Sequence, residues 1–349
     1  MNESITDIAN LVEEVGIMEL QQMMTSGLLT SRDLVKAYMV RIALYDRGGP
    51  GLNSVLELNP EALFIADALD LERSRKGPRG LLHGIPILVK DNIDTGDMMH
   101  TSAGSLALAN SYARKDSFVG KKRREAGAVI LGKANMTEWA NMMADDMPAG
   151  YSSRGGQVKN PYGSHISEAG GSSSGSAVSV AASLVAASIG TETSGSILNP
   201  AFRDSVVGIK PTVGLVSRTG VIPISHIQDT PGPLGRTVED AVIVLGAIVG
   251  VDERDAATDS SDGRTYTDYT RFLDKEGLRG ARIGIARAFV ERAEDEHRSI
   301  FAVAETVVRD AGACVVDVDM PYPTSRKSRS LVYEFKPAIN NYLARLSSE

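Results

Sequence analysis

Over residues 1–75 the apolar positions recur with a helical period. Thr30 and Ser31 precede a run in which Leu34, Ala37, Tyr38, Ile42 and Tyr45 share one face, the spacing of a helix with a single buried stripe. Asn59-Pro60 places a capping residue before a proline at the first helical position. A second helix is expected there, with Leu63, Phe64, Ala66, Leu69 and Leu71 as its apolar face. From residue 85 the pattern changes. Segments 85–89 and 128–131 are short apolar runs bounded by glycine or proline, and 206–209 and 282–286 read the same way. Such runs suit buried strands. Helical patterns lie between some of them. Thr237-Val-Glu-Asp240 offers a cap and early acids ahead of Ala241, Val244, Leu245 and Ile248. Near the end, a strand over 283–286, a helix over 300–311 with Phe301, Ala304, Val307 and Val308 in phase, and a strand over 314–318 make a βαβ unit.

This alternation predicts an α/β protein, one domain whose central mixed β-sheet is covered by helices on both sides. Along residues 1–349 it divides into an N-terminal helical part (1–75), a core (80–240) and a C-terminal part (240–349). No internal repeat is evident. The segment 168–200 has a chemistry of its own, almost wholly Gly, Ser, Ala and Thr with a few aliphatics. A flexible linker has such a composition, but here two compact serine clusters flank an apolar helix-and-strand pattern, which linkers lack. Glycine-rich turns with hydroxyls between buried elements bring backbone N–H groups and nucleophiles close to a ligand.

Composition narrows the partners. The net charge is −7 and aromatics are 5% of the chain, so a nucleic-acid surface is not expected. The longest basic block, Lys121-Lys122-Arg123-Arg124, reads as a solvated helix face. The single cysteine, Cys314, excludes a disulfide scaffold and a cysteine-rich zinc site. The start, MNESITDIANLVEEVG, carries acids where a secretory signal needs basic residues. The longest weakly polar runs, 177–189 and 241–251, fall short of the ~20 apolar residues that span a bilayer. A cytoplasmic protein with no membrane partner is expected.

Several motifs compete. The stretch 127–134 fits a phosphate-binding loop until Ala134, which has no hydroxyl for Mg²⁺, and its inner residues suit a strand. Gly171-Ser172-Ser173-Ser174-Gly175 matches a nucleophile elbow centred on Ser173. That mechanism needs a histidine after the nucleophile, and of the five histidines (His83, His100, His165, His226 and His297) only His226 and His297 follow it. No HExxH motif or histidine pair at ligand spacing occurs, so no metal is expected. Asp145-Asp146 sits in a polar stretch and reads as a solvated loop. A third arrangement starts from Lys90, at the end of the apolar run 85–89 and followed by Asp91-Asn92. A partly buried amine there has a lowered pKa and can serve as a base toward a serine.

Three blocks then carry a resemblance to the amidase signature family. They are His83-Gly-Ile-Pro-Ile-Leu-Val-Lys90-Asp-Asn, Gly170-Gly-Ser-Ser-Ser-Gly-Ser-Ala177 and Gly190-Thr-Glu-Thr-Ser-Gly-Ser196-Ile. The resemblance continues through 207–215 and 229–238 and covers most of the chain. It implies amide hydrolysis through an acyl-enzyme on Ser196, with Lys90 as base by way of Ser172, across a cis Gly171–Ser172 peptide. It implies an oxyanion hole from the backbone N–H groups of Thr193, Ser194, Gly195 and Ser196, with Ser173 in support. It implies no cofactor, and a small-molecule or peptide amide as substrate; a homodimer is an assembly open to it. Leu198 departs from the arginine that many members carry after the nucleophile. The Ser-rich block and the stretch 224–233 look closer to the peptide-amidase branch than to the tRNA-dependent glutamine amidotransferases. The family's chains continue past residue 349, so a truncated C-terminus is expected, lacking a sheet edge and one wall of the acyl pocket. The alternatives are a glutamine-dependent amidotransferase component and a weakly active homologue with a binding role.

Overall fold

Pro86-Ile-Leu-Val-Lys90 forms strand β2, buried at all its positions, and β3 (Val129–Ala134) and β6 (Ala187–Glu192) are buried throughout as well. Unbroken burial is what a strand covered on both faces requires. The structure is a computed structural model and describes residues 9–163, 167–320 and 329–347; His165 lies outside the described residues. β2 pairs in parallel with both β3 and β6. β1 (Val55–Leu58) joins β3 antiparallel, β8 (Thr230–Gly235) joins β6 antiparallel, and β7 (Val207–Gly208) joins β8. The order is β1-β3-β2-β6-β8-β7, the mixed sheet expected from the alternating pattern. A short hairpin of β4 (Tyr151–Ser152) and β5 (Gly156–Gln157) stands apart from it.

Helices α1 (Ile17–Thr25), α2 (Ser31–Arg41), α3 (Ala62–Lys76), α4 (Phe118–Glu125), α5 (Ser174–Ala181), α6 (Leu198–Arg203) and α7 (Val238–Ile248) surround the sheet strands in sequence. Capping boxes start α2 and α7, with Thr30 against Asp33 and Thr237 against Asp240, each tying two otherwise unpaired donors. Leu34, Ala37, Tyr38 and Ile42 are buried as the period predicts. The apolar face of α3 differs from expectation. It buries Ala62, Ala66 and Leu69, whereas Phe64 is 76% and Leu71 50% exposed. Phe64 lies about 200° around the helix from Ala62, so the two cannot share a face. The basic block is also corrected: Arg123 is fully buried, because α4 packs on β3 and α7. Its Nε donates to the Val119 carbonyl at 3.0 Å.

The chain forms two compact units, Met1–Tyr269 with Leu331–Glu349, and Thr270–Ser330. Within the first unit α7 packs on β8. In the second unit β9 (Arg282–Ile285) and β10 (Cys314–Asp317) run parallel, joined through α8 (Arg287–Glu291) and α9 (Asp295–Asp310), the βαβ unit read from the pattern. On α9, Val307 and Ala304 are exposed instead of inward. Glu305 is turned inward and holds Arg287 through two bonds of 2.7 and 2.8 Å. A last helix, α10 (Arg329–Ser347), runs on through Pro337. From Leu331 it belongs to the first unit, where Ile339 and Tyr342 pack with Ala103, Met136 and Ile222. Among the described residues no helix is long and apolar enough to cross a membrane.

Candidate active site

The fold delivers Lys90 to the interior, because β2 is covered on both faces and its last residue is as buried as the others. The Lys90 Nζ donates to Ser172 Oγ at 2.7 Å, to Thr191 Oγ1 at 2.9 Å and to the Thr191 carbonyl at 3.3 Å. Thr191 comes from β6, the parallel neighbour of β2. Ser172 comes from the turn that opens α5, across a cis Gly171–Ser172 peptide. Small residues make this crowding feasible. A Cβ on Gly171 would lie 2.4 Å from Thr137 Oγ1, and one on Gly190 would lie 2.6 Å from Ser173 Oγ.

The Ser173 N–H donates to the Ser196 carbonyl at 3.1 Å, which ties the Ser196 turn to the Ser172 turn. Ser196 is 8% exposed, and its hydroxyl has no protein partner among the described residues. The turn is shaped by Glu192, which accepts from the N–H groups of Gly195 (2.8 Å), Ile197 (2.8 Å) and Leu198 (2.9 Å). Gly195 adopts φ +82°, a backbone that glycine takes without cost. Because its N–H is already given to Glu192, Gly195 departs from the expected set of oxyanion donors. The N–H groups of Thr193, Ser194 and Ser196 have no protein acceptor among the described residues. Asp229 holds the outer side of the turn. Its carboxylate accepts from the Thr193 hydroxyl and from the N–H groups of Ile224 (2.8 Å) and Ser225 (2.9 Å).

Electrostatics favours a neutral amine. Burial pushes Lys90 down to about 7 from 10.5, and the nearby Asp229 and Glu192 carboxylates limit the fall. Loss of solvation disfavours the ammonium, and an opposite charge restores it in part. Burial raises the Asp229 carboxyl, while its hydrogen-bond donors pull it back.

Of the competing sequence features, Ser173 belongs to this site, whereas His83 and His100 lie outside it. Ser173 is fully buried; its hydroxyl donates to the Thr191 carbonyl at 3.1 Å and accepts from the Thr191 N–H at 3.3 Å, a geometry that braces β6. The His83 ring bonds the Leu69 carbonyl and the Arg79 N–H, and His100 pairs with Glu57. Among the described residues no group of three or more His, Cys, Asp or Glu is placed to hold a metal ion. A cavity of about 790 Å³ opens beside the site, lined by Asp229, Arg218, Asp94 and Tyr342 but not by Ser196. Sequence reasoning missed Thr191, Glu192 and Asp229. An acid inside a tract of small residues was the available sign for Glu192.

Fold and site together define an α/β protein that sets one serine hydroxyl and one threonine hydroxyl on a buried lysine. The chain belongs to the amidase family, whose model, described as Amidase, matches residues 33–348. A putative amidase of Schizosaccharomyces pombe is 48% identical over 87% of this chain and 52% of its own length. A probable amidase of Arabidopsis thaliana is 44% identical over 96% and 65%. Among solved structures, the native peptide amidase from Stenotrophomonas maltophilia is 48% identical with a TM-score of 0.91, over 96% of this chain and 68% of that one. The chain thus spans between half and two thirds of the length of the curated relatives it matches.

Proposed function

We propose that this chain hydrolyses carboxylic amide C–N bonds through an acyl-enzyme on Ser196. One observation carries the reading: a fully buried lysine amine, pushed down to about 7 by burial, sits 2.7 Å from the Ser172 hydroxyl, in the turn tied to that of Ser196. Ser172 takes the Ser196 hydroxyl proton as it passes its own to Lys90, and Ser196 Oγ attacks the carbonyl carbon. The carbonyl electron pair moves to oxygen, where the N–H groups of Thr193, Ser194 and Ser196 receive it. One such donor is worth ~2.7–4 kcal/mol in the transition state. Collapse breaks the C–N bond, and the proton returns from Lys90 through Ser172 to the leaving nitrogen. Water then repeats the sequence on the ester, releasing the acid and restoring Ser196.

The substrate class is a small-molecule or peptide amide. Peptide C-terminal amides lead, because the similarity to a peptide amidase reaches 48% identity. A component of the glutamyl-tRNA(Gln) amidotransferase of Halorhodospira halophila is 38% identical, which makes glutaminase activity the reading to test against. A fluorophosphonate should label Ser196, with labelling lost in Ser196→Ala and in Lys90→Ala. Labelling at Ser173, or an unimpaired Lys90→Ala, overturns the assignment.

A further inference from the structure

Lys90 has no route to solvent through its own surface, since it is 0% exposed. A base that must start each turnover neutral, and can be found protonated, needs a path for one proton. The far side of the site offers one. Thr191 Oγ1 accepts from Lys90 Nζ at 2.9 Å and from Asn92 Nδ2 at 3.0 Å, and its own hydroxyl proton has no protein acceptor among the described residues. Asn92 is 3% exposed, and its Oδ1 is buried without a hydrogen-bond donor. Both side chains line a cavity of about 10 Å³, together with Thr193, Arg218 and Asp229. That volume is about one water; much of the lining is apolar (Ala140, Val221, Ile222, Ile224 and Pro231), so Asn92 Oδ1 and the Thr191 hydroxyl are the groups left to hold it. Asp229 and Arg218 also line the 790 Å³ cavity beside the site, so these two side chains lie between the small space and the large one.

We propose that one water sits behind Thr191, held by Asn92 Oδ1, and that Thr191, this water and Asp229 form the path by which the Lys90 amine exchanges its proton with solvent. The path rests on the lysine-base reading above. The hop balances. An N–H bond of the ammonium breaks as Thr191 Oγ1 gains that proton, and Thr191 gives its hydroxyl proton to the water. The water passes a proton toward Asp229 and the large cavity. One proton moves from lysine to solvent, and every oxygen regains its hydrogens when the chain resets. Thr191 and Asn92 are positioning residues in this scheme, since neither touches the reacting carbonyl.

Two measurements test it. A high-resolution crystal structure of the wild-type chain should show one ordered water within hydrogen-bond distance of Asn92 Oδ1 and Thr191 Oγ1; a dry cavity overturns the proposal. In a pH jump from 5.5 to 8.5, fluorophosphonate labelling of Ser196 should follow a lag while Lys90 loses its proton. The lag should lengthen at least tenfold in Thr191→Val and in Asn92→Leu, and return to wild-type length in Thr191→Ser, which keeps the hydroxyl. An unchanged lag in Thr191→Val, or a Val-like lag in Thr191→Ser, overturns the path. Wild-type protein that is never labelled at Ser196 refutes instead the catalytic reading on which the path rests, and the crystallographic water is scored independently of it.

Discussion

Replacing Lys90 by methionine separates the cost of burying an amine from its use. The amine is fully enclosed and titrates at about 7, against 10.5 when free. Between those values the unfolded chain binds a proton that the native protein does not, so stability rises with pH by roughly 1.4 kcal/mol per unit. Above 10.5 neither state is protonated and burial carries no charge penalty. Below about 7 both are protonated, and the native state bears the full penalty of roughly 5 kcal/mol. Methionine has a similar reach and no such term. Against that gain stand the partners left behind on Ser172 and Thr191, at about 1–3 kcal/mol for each group left unpaired. Those losses do not vary with pH, so they shift the comparison without changing its slope. Lys90→Met should therefore lose hydrolysis while its stability relative to wild type declines by roughly 1.4 kcal/mol for each unit from pH 7 to 9. Below pH 7 the difference should be flat. Urea denaturation of both proteins at pH 6, 7, 8 and 9 measures it. Parallel stabilities from pH 7 to 9 would refute the depressed amine and, with it, the base.

Three further outcomes follow from the same geometry. The kcat/KM for an amide should fall roughly tenfold per unit below a limb at about pH 7, as Lys90 takes up its proton; a rate flat down to pH 5.5 contradicts this. Glu192→Gln turns an amide nitrogen toward at least one of the three N–H donors that the carboxylate now accepts. It should cost roughly 10–100-fold in kcat/KM, the equivalent of one charged hydrogen bond. It should also move the acid limb below 7, since the Glu192 charge raises Lys90. Gly190→Ala drives a methyl to 2.6 Å from Ser173 Oγ, and should lower stability by roughly 1–3 kcal/mol, read as a lower urea midpoint, with Ser196 labelling reduced.

How far the sequence carries the fold depends on whether local chemistry and tertiary packing agree. They agree at Thr30 and Thr237, whose capping boxes are written in the next three residues, and along β2 and β3, whose apolar runs are buried. They part at Arg123, where a basic run looks solvated and packing against α7 encloses one member. They part again at α10, which continues past Pro337 because Ile339 and Tyr342 find a core on Ala103, Met136 and Ile222. Proline argues against a helix interior in isolation, and only tertiary burial offsets it.

The site divides along the same line. Lys90 stands out in the sequence as a lysine ending an apolar run, whereas Ser172 and Ser196 are singled out only by the resemblance of their Gly/Ser blocks to the family. Thr191, Glu192 and Asp229 are singled out by neither, because their work is done through backbone donors and a shared amine that no one-dimensional spacing reveals. The turn at 193–196 shows why this matters. Read from the sequence, four consecutive N–H groups are equivalent; in the fold, Glu192 claims that of Gly195 and leaves those of Thr193, Ser194 and Ser196 without acceptors among the described residues. The carboxylate that consumes one donor also draws in Ile197 and Leu198, which fixes the turn on both sides of Ser196. With Asp229, the same charge limits the fall that burial imposes on Lys90. One acid thus couples the shape of the Ser196 turn to the proton affinity of the Lys90 amine, and a substitution there is expected to change both.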